Sequence, residues 1–293
     1  MTAPLTILVN RNAGGSRPPA EIEGVLRERG VHAAVHEVPA DELRDTAAKL
    51  ARECAMVGVA GGDGSVNAVA SGLVGTDAAL AVLPLGTLNH FARDIGVGDS
   101  LDRAADAIAA GHIRRVDVGE VNDRIFLNNS SIGLYPQAVR ERERRQRRGI
   151  GKWPAMALSL ATSIHRYHLL DLELELHGAR RRCRTPVILI SNNAYEIGLP
   201  EPVHRTRLDA GELCLYAAHD PGRLRLLLLG LTAALGRLQH QPGVDVECLE
   251  RLVVHARRPV LPVALDGEPC DLRPPLRYRT LPRALRVVAP PAS

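Results

Sequence analysis

Apolar runs and helix-spaced apolar positions alternate along roughly the first 120 residues. Leu5–Val9 is a short strand-like run ended by the turn-forming NRNAGGS, Ala20–Arg29 has helical spacing, and Val31–Val38 reads as a strand. Asp41–Cys54 is predicted as a helix, with Asp41 in the capping position and Leu43, Ala47 and Leu50 on one face. Ala55–Ala60 is a further strand, followed by GGDGS and a helix near Val66–Leu73. Ala79–Leu83, PLGT and a helix near Leu88–Ile95 repeat the unit, and the Ala-rich helix Leu101–Ala110 closes the series. Strand–helix repetition predicts a parallel sheet covered by helices on both faces.

The second half has another rhythm. Leu170–Leu176 reads LDLELEL, the period-two alternation of a half-buried strand. PVILISNN, LCLYAAH, ERLVVHA, PVALDGE and ALRVVAP are further short runs between Pro, Gly and Asn–Asn punctuation. This half reads as antiparallel β-structure with helices near Ala155–His168 and Leu224–Leu238. VDVGEVNDRIFLNN is predicted as the hairpin leading into it. The division falls between an α/β domain over residues 1–126 and a β-domain over residues 127–293.

Composition narrows the function. With 45% hydrophobic and 24% charged residues, the chain has the balance of a soluble globular protein. A net charge of +4 and eight aromatic residues argue against nucleic-acid binding, which needs a strong basic field or stacking platforms. The only lysines are Lys49 and Lys152, and neither follows a G-x-x-x-x-G run, so a Walker A P-loop is excluded. Cys54, Cys183, Cys214, Cys248 and Cys270 form no C-x-x-C pair, and no ligand spacing suits zinc. Five scattered cysteines and an N-terminus without a secretory pattern lead to the expectation of reduced thiols and a cytoplasmic protein. Leu224–Leu235 is too short for the ~20 residues of a membrane span, so no transmembrane segment is expected. Arg140–Lys152 carries seven basic residues against Glu141 and Glu143, and reads either as a solvated segment or as one attracted to anionic headgroups.

Three glycine-containing turns each follow a strand of the first half: NRNAGG (10–15), GGDGSVN (61–67) and GTLN (86–89). In a parallel α/β sheet such turns share the carboxyl edge, where ligands bind. Glycine admits a phosphate close to the backbone, and the first-turn N–H groups of the next helix point at the anion. Three such turns suggest a polyphosphate across that edge. Asp63 among phosphate-binding amides requires a cation between it and the ligand, and Mg²⁺ is the ion that combines carboxylate with phosphate oxygens. The hydroxyls of Ser65 and Thr87 and the amides of Asn67 and Asn89 are neutral partners for phosphate or nucleotide. Ser65 and Thr87 are equally suited to helix capping. The pattern reads as a site for Mg–ATP.

GGDGSVN followed by PLGTLNHFAR resembles the bacterial diacylglycerol kinases and related lipid kinases, distant relatives of sphingosine and NAD kinases. VNRNAGG, FLNNSSIGLY and LDGEP (265–269) extend the resemblance over essentially the whole chain. It implies a Rossmann-like nucleotide domain and a β-sandwich with the active site in the cleft between them. It also implies ATP contacts from Asn10, Arg11, Asn12, Ala13 and Gly14, from Gly61, Gly62, Asp63, Gly64, Ser65, Val66 and Asn67, and from Gly86, Thr87 and Asn89. Glu268 takes the role of general base toward a lipid hydroxyl, which must lose its proton as it attacks the γ-phosphoryl group. Such an enzyme uses ATP and Mg²⁺, serves phospholipid metabolism, and meets its lipid substrate at the inner face of the membrane. Three positions depart from the pattern: Arg11 stands where proline is usual, Ser65 where Thr is common, and Ala210 where an Asp before Gly211 ligates a second Mg²⁺. Asp209 and Glu212 are the remaining candidate ligands there, and the expectation is that no tightly held structural Mg²⁺ occupies this place. A soluble NAD or sugar kinase and a non-catalytic lipid- or nucleotide-binding relative remain as alternatives. Neither the lipid nor the oligomeric state is legible.

Overall fold

The computed structural model describes residues 5–10, 17–133, 136, 169–195, 205, 207–218 and 244–291. The chain forms two compact units, Met1–Val118 with Leu281–Ser293, and Gly119–Thr280.

In the first unit, β1 (Leu5–Asn10), β2 (Ala33–Val38), β3 (Met56–Gly61) and β4 (Ala79–Pro84) lie in the order β2-β1-β3-β4, all parallel. Their helices are α1 (Pro19–Arg27), α2 (Leu43–Leu50), α3 (Asp63–Leu73), α4 (His90–Asp94) and α5 (Leu101–Ala110). β3 and β4 are buried on both faces, as crossover helices require, so their sequences read as continuous apolar runs. α5 starts on Ser100, whose side chain accepts the Arg103 N–H, and ends on Gly111 in the left-handed conformation. Asp41 does not cap α2: that helix begins at Leu43 behind Glu42, which makes no side-chain capping bond.

In the second unit, β5 (Ile113–Val121) enters across the boundary and pairs with β6 (Arg124–Phe126) through Asn122 and Asp123, both at positive φ. That two-residue turn is the kind Asn and Asp tolerate, and it matches the expected hairpin. One antiparallel sheet has the order β12-β11-β10-β7-β14-β15, built from β7 (Asn129–Gly133), β10 (Val187–Asn192), β11 (Leu213–Ala218), β12 (Val244–Leu249), β14 (Leu261–Leu265) and β15 (Glu268–Leu272). Another set joins β8 (Leu170–Leu176), β9 (Ala179–Thr185), β13 (Arg251–Ala256) and the first part of β16 (Leu276–Val288). Their inward positions meet in one core: Leu170, Leu172, Leu174 and Leu176 of β8 share it with Ile188, Ile190, Leu213, Leu215 and Val263 of the other sheet. The outward carboxylates of β8 pair with arginines of β9, Asp171 with Arg182 at 2.6 Å and Glu173 with Arg180 at 3.1 Å.

The two units divide at 118/119, and Leu281–Ser293 belongs with the first, where β16 lies parallel to β4 in the register Arg286↔Ala79. That division falls inside β5 and β16, so no turn punctuation marks it. One expectation is corrected: not all cysteines are reduced, since Cys214 and Cys248, directly opposite on β11 and β12, form a disulfide. Cys54, Cys183 and Cys270 are free. The helices expected near Ala155–His168 and Leu224–Leu238 and the basic segment 140–152 lie outside the described residues.

Candidate active site

The strand order β2-β1-β3-β4 reverses direction between β1 and β3, and a parallel sheet opens a crevice at such a switch point beyond the carboxyl ends of its strands. β1 ends there at Asn10, β3 at Gly61 and β4 at Pro84. Gly61 and Pro84 are register partners, and the Leu85 N–H donates to Gly61 O at 3.0 Å, so the loops after β3 and β4 leave together. α3 starts at once, with Gly62 as its N-cap and no side-chain cap. Its first intrahelical bond is Val66 N–H to Gly62 O at 3.0 Å. The amides of Asp63, Gly64 and Ser65 therefore precede the helical ladder, at the positive end of an 11-residue helix.

The two loops come closest at their glycines. A Cβ on Gly86 would lie 2.4 Å from Gly62 Cα and 2.7 Å from Asn89 Oδ1. A Cβ on Gly61 would lie 2.8 Å from Ser65 Cβ. This glycine-lined cradle, beside the start of α3, fits a phosphate chain. Asp63 fits a cation accompanying it, since a bare carboxylate there would repel the ligand.

Asp63 and Asn89 also hold the scaffold. Asp63 Oδ1 accepts the Phe91 N–H at 3.3 Å, tying α3 to the first turn of α4. Asn89, buried and left-handed at φ 50°, closes the GTLN turn on itself. Its Oδ1 accepts the Gly86 N–H at 3.0 Å, and its Nδ2 donates to Gly86 O at 3.1 Å and to Asp99 Oδ1 at 3.2 Å. Asn89 is thus a builder of the loop. Asp99 pairs with Arg93, whose guanidinium holds its carboxyl below the ordinary Asp range, with the Asn89 amide adding to the effect. Ser65 and Thr87 do not cap helices: α3 begins on Gly62 and α4 on Asn89. Ser65 is buried beside Gly61, and Thr87 is exposed. Asn67 lies one turn into α3, with its backbone carbonyl accepting the Ser71 hydroxyl at 2.8 Å. Asn10 ends β1, while Arg11, Asn12, Ala13 and Gly14 lie outside the described residues.

In the second unit, the β14–β15 hairpin turns through Asp266 (φ 48°) and Gly267 (φ 88°), and Glu268 opens β15 with its side chain exposed. A D-G turn of this type accounts for the spacing, but Asp266 does more than turn. Its carboxylate accepts three backbone N–H groups, from Leu127 at 2.8 Å, Asn128 at 2.7 Å and Asn129 at 3.0 Å. The carbonyl side of the same segment is held by Arg205, only 2% exposed, which donates to Leu127 O at 2.6 Å, Asn192 O at 2.7 Å and Asn128 Oδ1 at 2.7 Å. The segment FLNN is clamped from both edges, and the turn carrying Glu268 is anchored to it. Neither Arg205 nor the anchoring role of Asp266 was legible, because the partners lie 78 and 139 residues away in sequence.

At the departure around Ala210, the chain bends rather than extending: Gly211 has φ 75°, and β11 starts only at Leu213. Asn193 organises the bend, its Oδ1 accepting the Ala210 N–H at 3.1 Å and its own N–H donating to Glu212 O at 2.9 Å. Glu212 comes near Cys214 and Cys248; Asp209 does not join that group.

Residues 4–121 match the family described as the diacylglycerol kinase catalytic domain. The chain is 26% identical over 306 residues to a probable lipid kinase YegS of Salmonella gallinarum, covering 97% of this chain and 95% of the relative. It is 28% identical to a probable lipid kinase YegS-like protein of Citrobacter koseri, covering 99% and 97%. Among solved structures, a putative diacylglycerol kinase from Bacillus anthracis superposes with a TM-score of 0.77 at 22% identity, over 98% of this chain and 97% of that one.

Proposed function

Because the chain belongs to the bacterial diacylglycerol and lipid kinase family, we propose that it transfers the γ-phosphoryl group of ATP to the hydroxyl of a diacylglycerol-like lipid. The observation that carries this reading is the glycine cradle of Gly62 and Gly86 at the switch point of a parallel sheet, with Asp63 at the start of α3. Phosphoryl transfer is mostly positioning and charge stabilisation, and this edge supplies both through oriented amides. Gly61, Gly62, Gly64 and Gly86 admit the phosphates; Asn10, Ser65, Val66, Asn67 and Thr87 border the nucleotide; Asp63 holds Mg²⁺. That ion, when bound, neutralises charge on the phosphate oxygens.

Glu268 serves as general base. The acceptor hydroxyl gives its proton to the Glu268 carboxylate as its oxygen bonds the γ-phosphorus, and the bond from phosphorus to the leaving ADP oxygen breaks. Asp266 is the less suitable base, since its oxygens already receive three N–H bonds. The lipid substrate places the enzyme at a membrane surface, as a peripheral protein on the cytoplasmic side. No helix among the described residues is long and apolar enough to cross a membrane.

The test is ADP release with Mg–ATP and a panel of acceptors: diacylglycerol and other hydroxyl lipids in mixed micelles, NAD, and free sugars. Turnover with a hydroxyl lipid alone is expected. Turnover with NAD or a sugar and not with lipid would make this a soluble-acceptor kinase. ATP binding without turnover on any acceptor would make it a non-catalytic relative.

A further inference from the structure

Three metal-ligating side chains converge beside the β11–β12 ladder of the second unit. Cys214 and Cys248 are register partners across the two strands. Side chains alternate between sheet faces, so both point away from Leu213, Leu215 and Leu249, which enter the core. Glu212 stands two residues before Cys214, with Oε1 3.9 Å from its Sγ. One carboxylate oxygen and the two sulfurs all lie within 4.8 Å of one another. Cys214 is buried, Cys248 is exposed, and Gly211, Glu212, Cys248 and Glu250 border an open cavity of about 1530 Å³. The cluster is therefore reachable from solvent.

The two sulfurs are joined in this structure. A disulfide has no proton to donate, so a carboxylate beside it gains nothing from the contact. The same carboxylate beside two thiols completes a ligand set. A small dithiol reductant converts the disulfide by two exchange steps: its first thiolate takes one sulfur into a mixed disulfide, and its second releases it. The reductant leaves as its own disulfide, and its two protons pass to Cys214 and Cys248. Cys248, the exposed residue of the pair, is the expected point of attack. Two thiolates and a carboxylate this close repel one another, and a divalent cation relieves the repulsion while displacing the two thiol protons.

We propose that Glu212, Cys214 and Cys248 form a redox-gated site for a thiophilic divalent cation such as Zn²⁺, closed as the disulfide and opened as the dithiol. Zn²⁺ accepts mixed sulfur and carboxylate ligands in a tetrahedron whose fourth position water from the cavity fills. Mg²⁺ is a poor occupant, because it requires oxygen ligands in an octahedron. The site thus differs in chemistry from a carboxylate site for Mg²⁺ at position 210, where Ala210 offers no ligand.

The test uses the full chain. Thiol counting in denaturant should find three free cysteines in air-oxidised protein and five after dithiol treatment. After removal of the dithiol under nitrogen, Zn²⁺ is titrated against a chromophoric chelator. Reduced wild type should take up one Zn²⁺ that the oxidised form, Cys214→Ser/Cys248→Ser and Glu212→Gln bind at least ~10-fold more weakly, the least that disturbing a metal site's ligands costs. Cd²⁺ should give thiolate charge-transfer absorbance in reduced wild type and not in the double variant. Glu212→Gln leaves both cysteines in place, so it reports on ligation even if the serine variant folds poorly. Equal Zn²⁺ affinity in reduced wild type and Glu212→Gln would overturn the ligand set. Five thiols in air-oxidised protein, or equal Zn²⁺ affinity before and after reduction, would overturn the gate.

Discussion

Replacing Gly86 by Ala tests the cradle where it is tightest. The new methyl would lie 2.4 Å from Gly62 Cα, about 1 Å inside ordinary contact, and 2.7 Å from Asn89 Oδ1. The first neighbour is backbone at the start of α3 and cannot swing aside; the second is the acceptor of the Gly86 N–H. Relief requires the loops after β3 and β4 to separate by about 1 Å or the Asn89 bond to break. Overpacking of this kind costs about 1–3 kcal/mol, and a strained hydrogen bond adds about 1 kcal/mol. Urea melts should show Gly86→Ala destabilised by roughly 2–4 kcal/mol by these magnitudes. Displacing positioning groups by ~1 Å costs up to ~10²-fold in turnover, so ATP affinity and kcat should fall together. Gly24→Ala is the control: a Cβ there meets nothing within 4 Å in the interior of α1, and the change should be neutral or stabilising by up to ~1 kcal/mol. Wild-type stability and ATP affinity in Gly86→Ala would refute the reasoning.

The parallel half was legible because its signals are local. Apolar runs such as VLPLG and VGVAGG announce buried strands, and each glycine turn follows its strand directly, so motif and element coincide. LDLELEL was equally plain, since period two survives wherever one face meets a core. β9 was missed because ARRRCRT buries only Cys183 and Thr185, while Arg180 and Arg182 meet the carboxylates of β8. The division between the units carries no local signal, because β5 and β16 carry the chain through it as strands. The pairing of Cys214 with Cys248 is a fact of register across 34 residues, which spacing rules built for local motifs do not see. Asn89 shows the same limit within a recognised motif. Its place in GTLN was plain, but its left-handed backbone and three hydrogen bonds make it a builder of the loop.

Glu268→Gln keeps shape and removes basicity, so kcat should fall at least ~10²-fold with ATP affinity near normal; wild-type turnover would place the base elsewhere. Asp63→Asn retains an acceptor for the Phe91 N–H and should fold, while Mg–ATP binding weakens and the Mg²⁺ requirement rises; unchanged nucleotide affinity would remove Asp63 from the metal site. Burial pushes the Cys183 thiol above its ordinary range, so it should resist alkylation in the native protein and react only on unfolding, as mass spectrometry of labelled peptides will show. Asp99 gives a test with a definite sign. Arg93 first, and then the Asn89 amide, lower its carboxyl in the folded state. A carboxyl whose folded pKa is depressed contributes stability that is present above its unfolded pKa and lost as pH falls through the folded value. Asp99 is half exposed, so the pair is worth no more than the ~0–1 kcal/mol of surface ion pairs, and the shape of the curve carries the information. Urea melts of wild type and Asp99→Asn between about pH 7 and about pH 3 should differ most near neutrality and converge in acid. A gap that stays constant or widens as pH falls would mean that the Arg93–Asp99 pair does not hold the GTLN loop electrostatically.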